Sequence, residues 1–231
     1  MNQRTVDHAA WVEARKALLA KEKEFLKTRD ALSAARRELP WERVEKRYVF
    51  DSKDGPVTLP ELFRGRSQLV VYHFMFGVDW EEGCKSCSFW ADSFERNVVH
   101  LAHRDVTLLA ISRGPLAKLH AFRARMGWTF EWVSSGKTDF SQDFEVAYDG
   151  SGGTYNYRDR KGGKSELPGF SVFARDDAGD VFHTYSTFSR GIEPMNAAYQ
   201  ILDLVPKGRD EKGLAYPMEW LRHRDNYDAG A

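Results

Sequence analysis

The chain has 231 residues, 42% of them hydrophobic and 13% aromatic, enough to bury a sizeable core in one large domain or in a domain with an appendage. The same figures exclude collagen-like, disordered and disulfide-scaffold classes. Because 34 basic residues balance 34 acidic ones, no overall field draws the chain to nucleic acid or to an anionic membrane.

The start, MNQRTVDHAAWVEARKALL, carries charges throughout and no apolar core of a signal peptide, and no window approaches the roughly 18 apolar residues of a membrane span. The expectation is a soluble, unexported, cytoplasmic protein without nucleic-acid or membrane partners. Residues 4 to 39 contain no Gly or Pro and set Val6, Ala10, Leu18, Phe25 and Leu32 among charged residues at spacings of 4, 7 and 8, which predicts one long amphipathic helix. Thr5 or Asp7 would cap it, and Pro40 stands past its end. Such a helix cannot bury its own stripe, so it should pack on the domain or on a second subunit as a homodimer.

Next, RYVFDSKDGPVTLPELF reads as a small hairpin turning at Asp54-Gly55-Pro56, then a short helix at Pro60 to Phe63. QLVVYHFMF, 68 to 76, is an apolar run suited to a strand covered on both faces. CSFWADSFERNVVHLAHR has helical spacing, DVTLLAISR reads as a second strand, PLAKLHAFRARMGW as a helix, and FEWVSS as a third strand. Residues 134 to 169 are rich in Gly, Ser, Asp and Tyr and read as a long loop insertion, too polar for core. FSVFARDDAGDVFHTYSTF predicts a hairpin with Gly179 in its turn, and IEPMNAAYQILDLV a last helix. The domain organisation expected is thus a helix over 1–40, an α/β domain over 41–206 and a charged tail over 207–231.

Cys84 and Cys87 are the only cysteines, and they form a C-x-x-C after a strand and at the start of a helix. Free backbone N–H groups and the helix dipole stabilise a thiolate there, and a lowered pKa is what a nucleophilic thiol needs. Cys87, one turn on, is placed to close a disulfide and resolve what Cys84 attacks. Gly83 would leave room for substrate. Other readings stay open. The thiols could pack as small apolar residues. With His183 or His73 they could bind Cu(I) or zinc, although no second C-x-x-C supplies the usual four zinc ligands.

Strand, C-x-x-C, helix, strand, then Pro168 before the strand of a hairpin resembles the thioredoxin superfamily. More closely, WERVEKRYVF, LPELFRGRSQLVVYHFMFGVDWEEGCKSCSFWAD, FHTYSTFSRG and LDLVPKGRDE resemble the bacterial DUF899 family of thioredoxin-like proteins over nearly the whole chain. The resemblance implies a thioredoxin-like α/β fold, a central mixed sheet flanked by helices. It further implies Cys84 as nucleophile, Cys87 as resolving thiol and Pro168 as a cis-proline facing them. His73 falls where thioredoxins carry a buried carboxylate beneath the cysteines, and would accept a proton from Cys87 if it faced them.

Departures temper the match. Glu81, Glu82 and Gly83 separate Trp80 from Cys84, and two carboxylates beside a thiolate would raise its pKa. LVVYHF also has the look of a peroxiredoxin, but that family's threonine and proline before the cysteine are Glu81 and Gly77 here, so the donors to a peroxide are missing. Trp80, Gly83, Tyr185 and Arg190 are the candidate substrate contacts; Phe89 and Trp90 read more naturally as core, and Tyr155 and Tyr157 as loop anchors. The expected function is thiol–disulfide oxidoreductase, with no bound cofactor, acting on a disulfide-containing protein or small thiol and regenerated by a cellular reductant. Alternatives are a metal binder using Cys84, Cys87 and His183, a thiol peroxidase, and a redox sensor.

Overall fold

Asp7 opens the first element, its carboxylate accepting the Ala10 N–H at 2.8 Å, and helix α1 runs from there over His8–Arg37. In the computed structural model, which describes residues 4–150, 152–160 and 164–227, the chain divides into two compact units, Met1–Pro40 and Trp41–Ala231. No residue of α1 is buried. Trp11, Leu18, Phe25, Leu32 and Leu39, seven residues apart, are all exposed.

The second unit is built on an eight-stranded mixed sheet. Its strands are β1 (Glu42–Arg43), β2 (Val49–Ser52), β3 (Gly55–Thr58), β4 (Gln68–His73), β5 (Val106–Ser112) and β6 (Glu131–Ser134). Four short strands follow, β7 (Ala147–Asp149), β8 (Gly153–Tyr155), β9 (Arg158–Arg160) and β10 (Lys164–Glu166), which pair among themselves outside the main sheet. The long hairpin β11 (Gly169–Arg175) and β12 (Val181–Phe188) completes it. The order across the sheet is β1-β12-β11-β4-β5-β6-β2-β3. Strands β4, β5 and β6 are parallel, as crossover helices require, and the hairpin adds antiparallel to β4.

Alternation along β4 sorts the core. Leu69 and Val71 face one layer, with Leu62, Phe63, Phe140 and Phe173. Tyr72 faces the other, with Phe74, Trp90, Phe122 and Trp132. This second layer is covered by α2 (Lys85–Phe94), α3 (Val98–Ala102), α4 (Leu116–Arg125) and α6 (Ala197–Leu202), with α5 (Phe140–Asp143) on the opposite side.

β4 stops at His73 rather than at residue 76. Beyond Phe74, which still donates to Ile111 O at 3.0 Å, the Met75 carbonyl accepts from Cys84 N at 3.1 Å and the Met75 N–H points to Cys87 Sγ at 3.5 Å. The backbone that would have continued the ladder is spent on the cysteine loop.

Residues 134 to 169 are not plain loop: they include α5 and four short strands, and Phe140, Val146 and Tyr148 are buried. A few large apolar side chains outweigh a polar average, because burial is decided residue by residue. Residues 207–227 are likewise no loose tail. Leu221 is fully buried, and Trp220 Nε1 and Tyr199 Oη both donate to Glu211, at 2.9 and 2.7 Å. The last predicted helix is split: a 3-10 segment, Ser189–Met195, holds Pro194, and α6 restarts where the Asn196 side chain accepts the Tyr199 N–H. Among the described residues no helix is long and apolar enough to cross a membrane.

Candidate active site

Cys84 is the N-cap residue of α2, with φ −56° and ψ 127°, and is partly exposed, whereas Cys87 lies in the first turn and is buried. Both thiols are free. The loop before them is fixed by Gly83. An added Cβ there would lie 2.7 Å from both the Phe74 and Phe122 rings, so only glycine fits. The Gly83 carbonyl accepts a hydrogen bond from His223 Nε2 at 2.8 Å. Gly83 therefore serves close packing, and the reading of it as space left for substrate is corrected.

The Cys84 thiol is lowered to about 6. Its hydrogen bond from the Cys87 thiol is the main cause; burial opposes, and the N–H groups of Cys87 and Ser86 and the Ser86 hydroxyl add to the lowering. This is the open end of a helix acting on a sulfur anion. Burial pushes Cys87 well above the ordinary thiol range, and the neighbouring Cys84 adds to it. The pair is thus split into a ready thiolate and a held thiol.

Glu81 and Glu82 do not reverse the effect. Glu81 pairs with Lys118 at 2.7 Å, and Glu82 pairs with Arg125 and faces His223 Nδ1 at 3.6 Å. Their charge is answered by Lys118 and Arg125 of α4, which no local stretch of sequence reveals.

Beside the cysteines opens a cavity of about 530 Å³ whose walls include Tyr72, Met75, Cys87, Trp90, Pro168 and Ile192. Trp90 Nε1 donates to Ile192 O at 2.8 Å and so ties α2 to the 3-10 segment. Across the cavity, Tyr155 Oη donates to Pro168 O at 2.8 Å and accepts from Ser189 N at 3.0 Å, holding that wall in place. Arg209 is neutralised in its wall: it is paired with Asp203 at 2.8 Å and Glu193 at 3.2 Å, and lies 4.1 Å over the Tyr199 ring.

The family model described as "Bacterial protein of unknown function (DUF899)" matches residues 1–227. The chain belongs to the DUF899 family. Among solved structures, the DUF899 chain is similar to the bacterioferritin comigratory protein of Xanthomonas campestris, with TM-score 0.50 and 13% identity over 70% of this chain and 94% of that one. It is also similar to the peroxidoxin BcpB of Mycobacterium tuberculosis, with TM-score 0.45 and 14% identity over 71% and 97%. The first likeness establishes a thioredoxin-like fold. No curated protein matches.

In this DUF899 chain, Cys87, Pro168 and Arg190 line the cavity, and Cys84 stands beside Cys87 but outside the lining. The remaining expected residues lie elsewhere. No peptide bond among the described residues is cis, so the bond before Pro168 is trans, against the cis expectation. His73 does not face the cysteines. It stacks on Phe140 and Phe144 in the other core layer, because residue 72 and not 73 points toward α2.

Trp80 lies over Gly77 and lines a separate cleft with Arg113 and Glu166. Tyr185 sits on β12 opposite Val172, outside the cavity lining. His183 packs against Phe144 and Phe173 on the far face, so Cys84, Cys87 and His183 cannot share a metal. Among the described residues no three His, Cys, Asp or Glu side chains are grouped to hold one. Tyr72 and Glu211 were missed, whereas Tyr155, read as a loop anchor, holds the cavity wall. Period-two alternation along β4 would have found Tyr72; Glu211 comes from the segment read as tail.

Proposed function

We propose that this DUF899 protein is a thiol–disulfide oxidoreductase with Cys84 as nucleophile and Cys87 as resolving thiol. The observation that carries the reading is the placement of a partly exposed Cys84 at the N-cap of α2 with the buried Cys87 in the first turn behind it, an arrangement that lowers the Cys84 thiol to about 6. The Cys84 thiolate attacks one sulfur of a substrate disulfide, the substrate S–S bond breaks, and a mixed disulfide forms. The departing thiolate takes the proton of Cys87. The Cys87 thiolate then attacks Cys84 Sγ, releases the second substrate sulfur as a thiolate that takes a proton from water, and leaves a Cys84–Cys87 disulfide, which a cellular dithiol reduces.

Pro168 and Arg190 are proposed as substrate-facing wall and rim, and the apolar lining supports a substrate with an apolar segment beside its disulfide, from a protein or a small thiol. The cytoplasm, where a reductant is at hand, is the proposed compartment. A homodimer through α1 is proposed from the exposed seven-residue stripe Trp11, Leu18, Phe25, Leu32 and Leu39.

A second reading, thiol peroxidase, is favoured by the same low thiol, and the similar Xanthomonas protein is described by its alkyl peroxide reduction activity. In it the Cys84 thiolate would take an oxygen from a hydroperoxide, giving an alcohol and a sulfenic acid that Cys87 condenses to the disulfide with loss of water. One experiment separates the two. Cys87→Ser is mixed with a disulfide-linked peptide or with a hydroperoxide, and the Cys84 adduct is identified by mass. A trapped peptide mixed disulfide supports exchange, a sulfenic acid formed at a faster rate supports the peroxidase, and an unreacted Cys84 refutes both.

A further inference from the structure

On the sheet face away from the cysteines, hydrogen bonds run unbroken through four side chains. His73 Nε2 lies 2.8 Å from Ser171 Oγ, Ser171 Oγ lies 2.8 Å from Ser186 Oγ, and Ser186 Oγ lies 2.7 Å from His183 Nε2. His183 Nδ1 faces Glu42 Oε2 at 3.4 Å. Strand register brings these together: Ser171 is paired with Ser186 and Glu42 with His183. Apart from Glu42 and His183, the members are buried.

Counting hydrogens fixes the direction of the chain. Three links need three hydrogens and the two hydroxyls bring two, so one imidazole donates at Nε2 and the other accepts there. His73 Nδ1 has no partner and sits within the stack against Phe140 and Phe144. An orphan N–H there would cost more than an orphan lone pair, so His73 carries its hydrogen on Nε2 and donates to Ser171. Ser171 then donates to Ser186, and Ser186 donates to His183 Nε2. The His183 hydrogen is left on Nδ1, toward Glu42. A hydroxyl bonded to an imidazole Nε2, with Nδ1–H held by a carboxylate, is the arrangement that activates a serine nucleophile.

Ser186, His183 and Glu42 line one cavity of about 420 Å³, separate from the cysteine cavity. We propose that Ser186 is a nucleophile in a second site of the protein, with His183 as its general base and Glu42 as positioning residue, and that the site hydrolyses small carboxylic esters. Glu42, Glu45, Asp143 and Glu145 outnumber Arg43 and Lys46 around the cavity, which favours a neutral or cationic ester over an anionic one.

As Ser186 Oγ bonds to the ester carbonyl carbon, its proton passes to His183 Nε2. The carbon–alkoxy bond then breaks and the alcohol leaves with that proton. Water, deprotonated by His183, attacks the acyl-Ser186, releases the carboxylic acid and restores the hydroxyl. In the deacylation step Ser186 Oγ is the leaving oxygen, and the Ser171 hydroxyl, donating to it, stabilises the negative charge that builds there.

The test is labelling of the full chain with a fluorophosphonate, with the adduct located by peptide mass spectrometry. The expected result is one adduct on Ser186, formed at least about 100-fold more slowly in His183→Gln, whose amide can keep a hydrogen bond to Ser186 but cannot act as base. Glu42 lies at the surface, and Glu42→Gln should slow labelling while Glu42→Asp keeps part of the rate, since the carboxylate facing His183 Nδ1 is lost in the first and retained in the second. An unlabelled Ser186, or labelling equally fast in His183→Gln, overturns the assignment. Neither outcome bears on the cysteines.

Discussion

The Tyr72 hydroxyl donates to the backbone carbonyl of Cys87 at 3.2 Å, from a side chain with no exposed surface. Tyr72 stacks on Phe170 with ring centroids 4.6 Å apart and meets Phe94 edge-on at 5.1 Å. The central strand, the hairpin and α2 thus meet at one ring beneath the Cys87 thiol, and Tyr72 also works against the rise of the Cys87 pKa.

Tyr72→Phe keeps the ring and removes the hydroxyl. Stability should fall by about 1 kcal/mol in urea unfolding, the net worth of one buried hydrogen bond and of the carbonyl left without it. The Cys87 pKa should rise further, so release of a trapped mixed disulfide at neutral pH should slow while its formation by Cys84 keeps its rate. Equal slowing of both steps would contradict the placement of Tyr72 under Cys87 alone.

Alkylation of Cys84 should follow a thiolate of pKa about 6, level above that pH and falling about tenfold per unit below it. In Cys87→Ala the largest stabilising donor is lost, so the midpoint should move up toward the ordinary thiol value. Iodoacetamide kinetics across pH 4 to 9, read by peptide mass, measure both. An unmoved midpoint would assign the lowering to the helix N–H groups instead.

Gly83→Ala forces a methyl group into the Phe74 and Phe122 rings, so it should destabilise the fold by about 1–3 kcal/mol in urea unfolding. A cost near zero would mean that the cysteine loop shifts freely.

The sheet was legible because its central strands are apolar runs ended by turn residues, and the cysteine turn because strand, C-x-x-C and helix follow one another in QLVVYHFMFGVDWEEGCKSCSFWADSF. What escaped was everything that depends on contacts distant in sequence. Whether His73 or Tyr72 faces the cysteines is a one-residue question of strand phase, settled by which neighbours each meets. The charges of Glu81 and Glu82 are answered by Lys118 and Arg125, about 40 residues away. Glu211 stands in a polar segment where a single anchoring side chain is invisible to composition. His183 pointed to the cysteines only on the assumption that the hairpin's end faces them, whereas the extra β12 residue opposite Val172/Phe173 and strand alternation set it on the far side.

His73 is held neutral, with its pKa lowered to about 3 chiefly by burial and further by His183. In the unfolded chain it would titrate near 6.5, so between those values the unfolded state binds the extra proton. Stability should therefore be complete above about pH 6.5 and decline as pH falls, by about 1.4 kcal/mol per unit from this residue alone. Urea unfolding at pH 7, 6, 5 and 4 should show a shallower decline in His73→Gln than in the native chain. Parallel curves would show that His73 does not control the acid limb.

The stripe on α1 should hold two chains together. Sedimentation of the native chain should give a dimer, and Leu18→Glu with Phe25→Glu a monomer, with Cys84 alkylation kinetics unchanged. A monomeric native chain would refute the helix-mediated dimer and leave the cysteine chemistry standing.

The most direct test of the central claim is a redox titration of the native chain in buffers of graded thiol and disulfide, with acid quenching, alkylation and intact-mass readout. The account predicts a single reversible transition between a form with both thiols alkylated and one with an intramolecular Cys84–Cys87 disulfide, abolished in Cys84→Ser. Thiols that stay alkylatable at every poise, or a disulfide that no thiol buffer reverses, would contradict it.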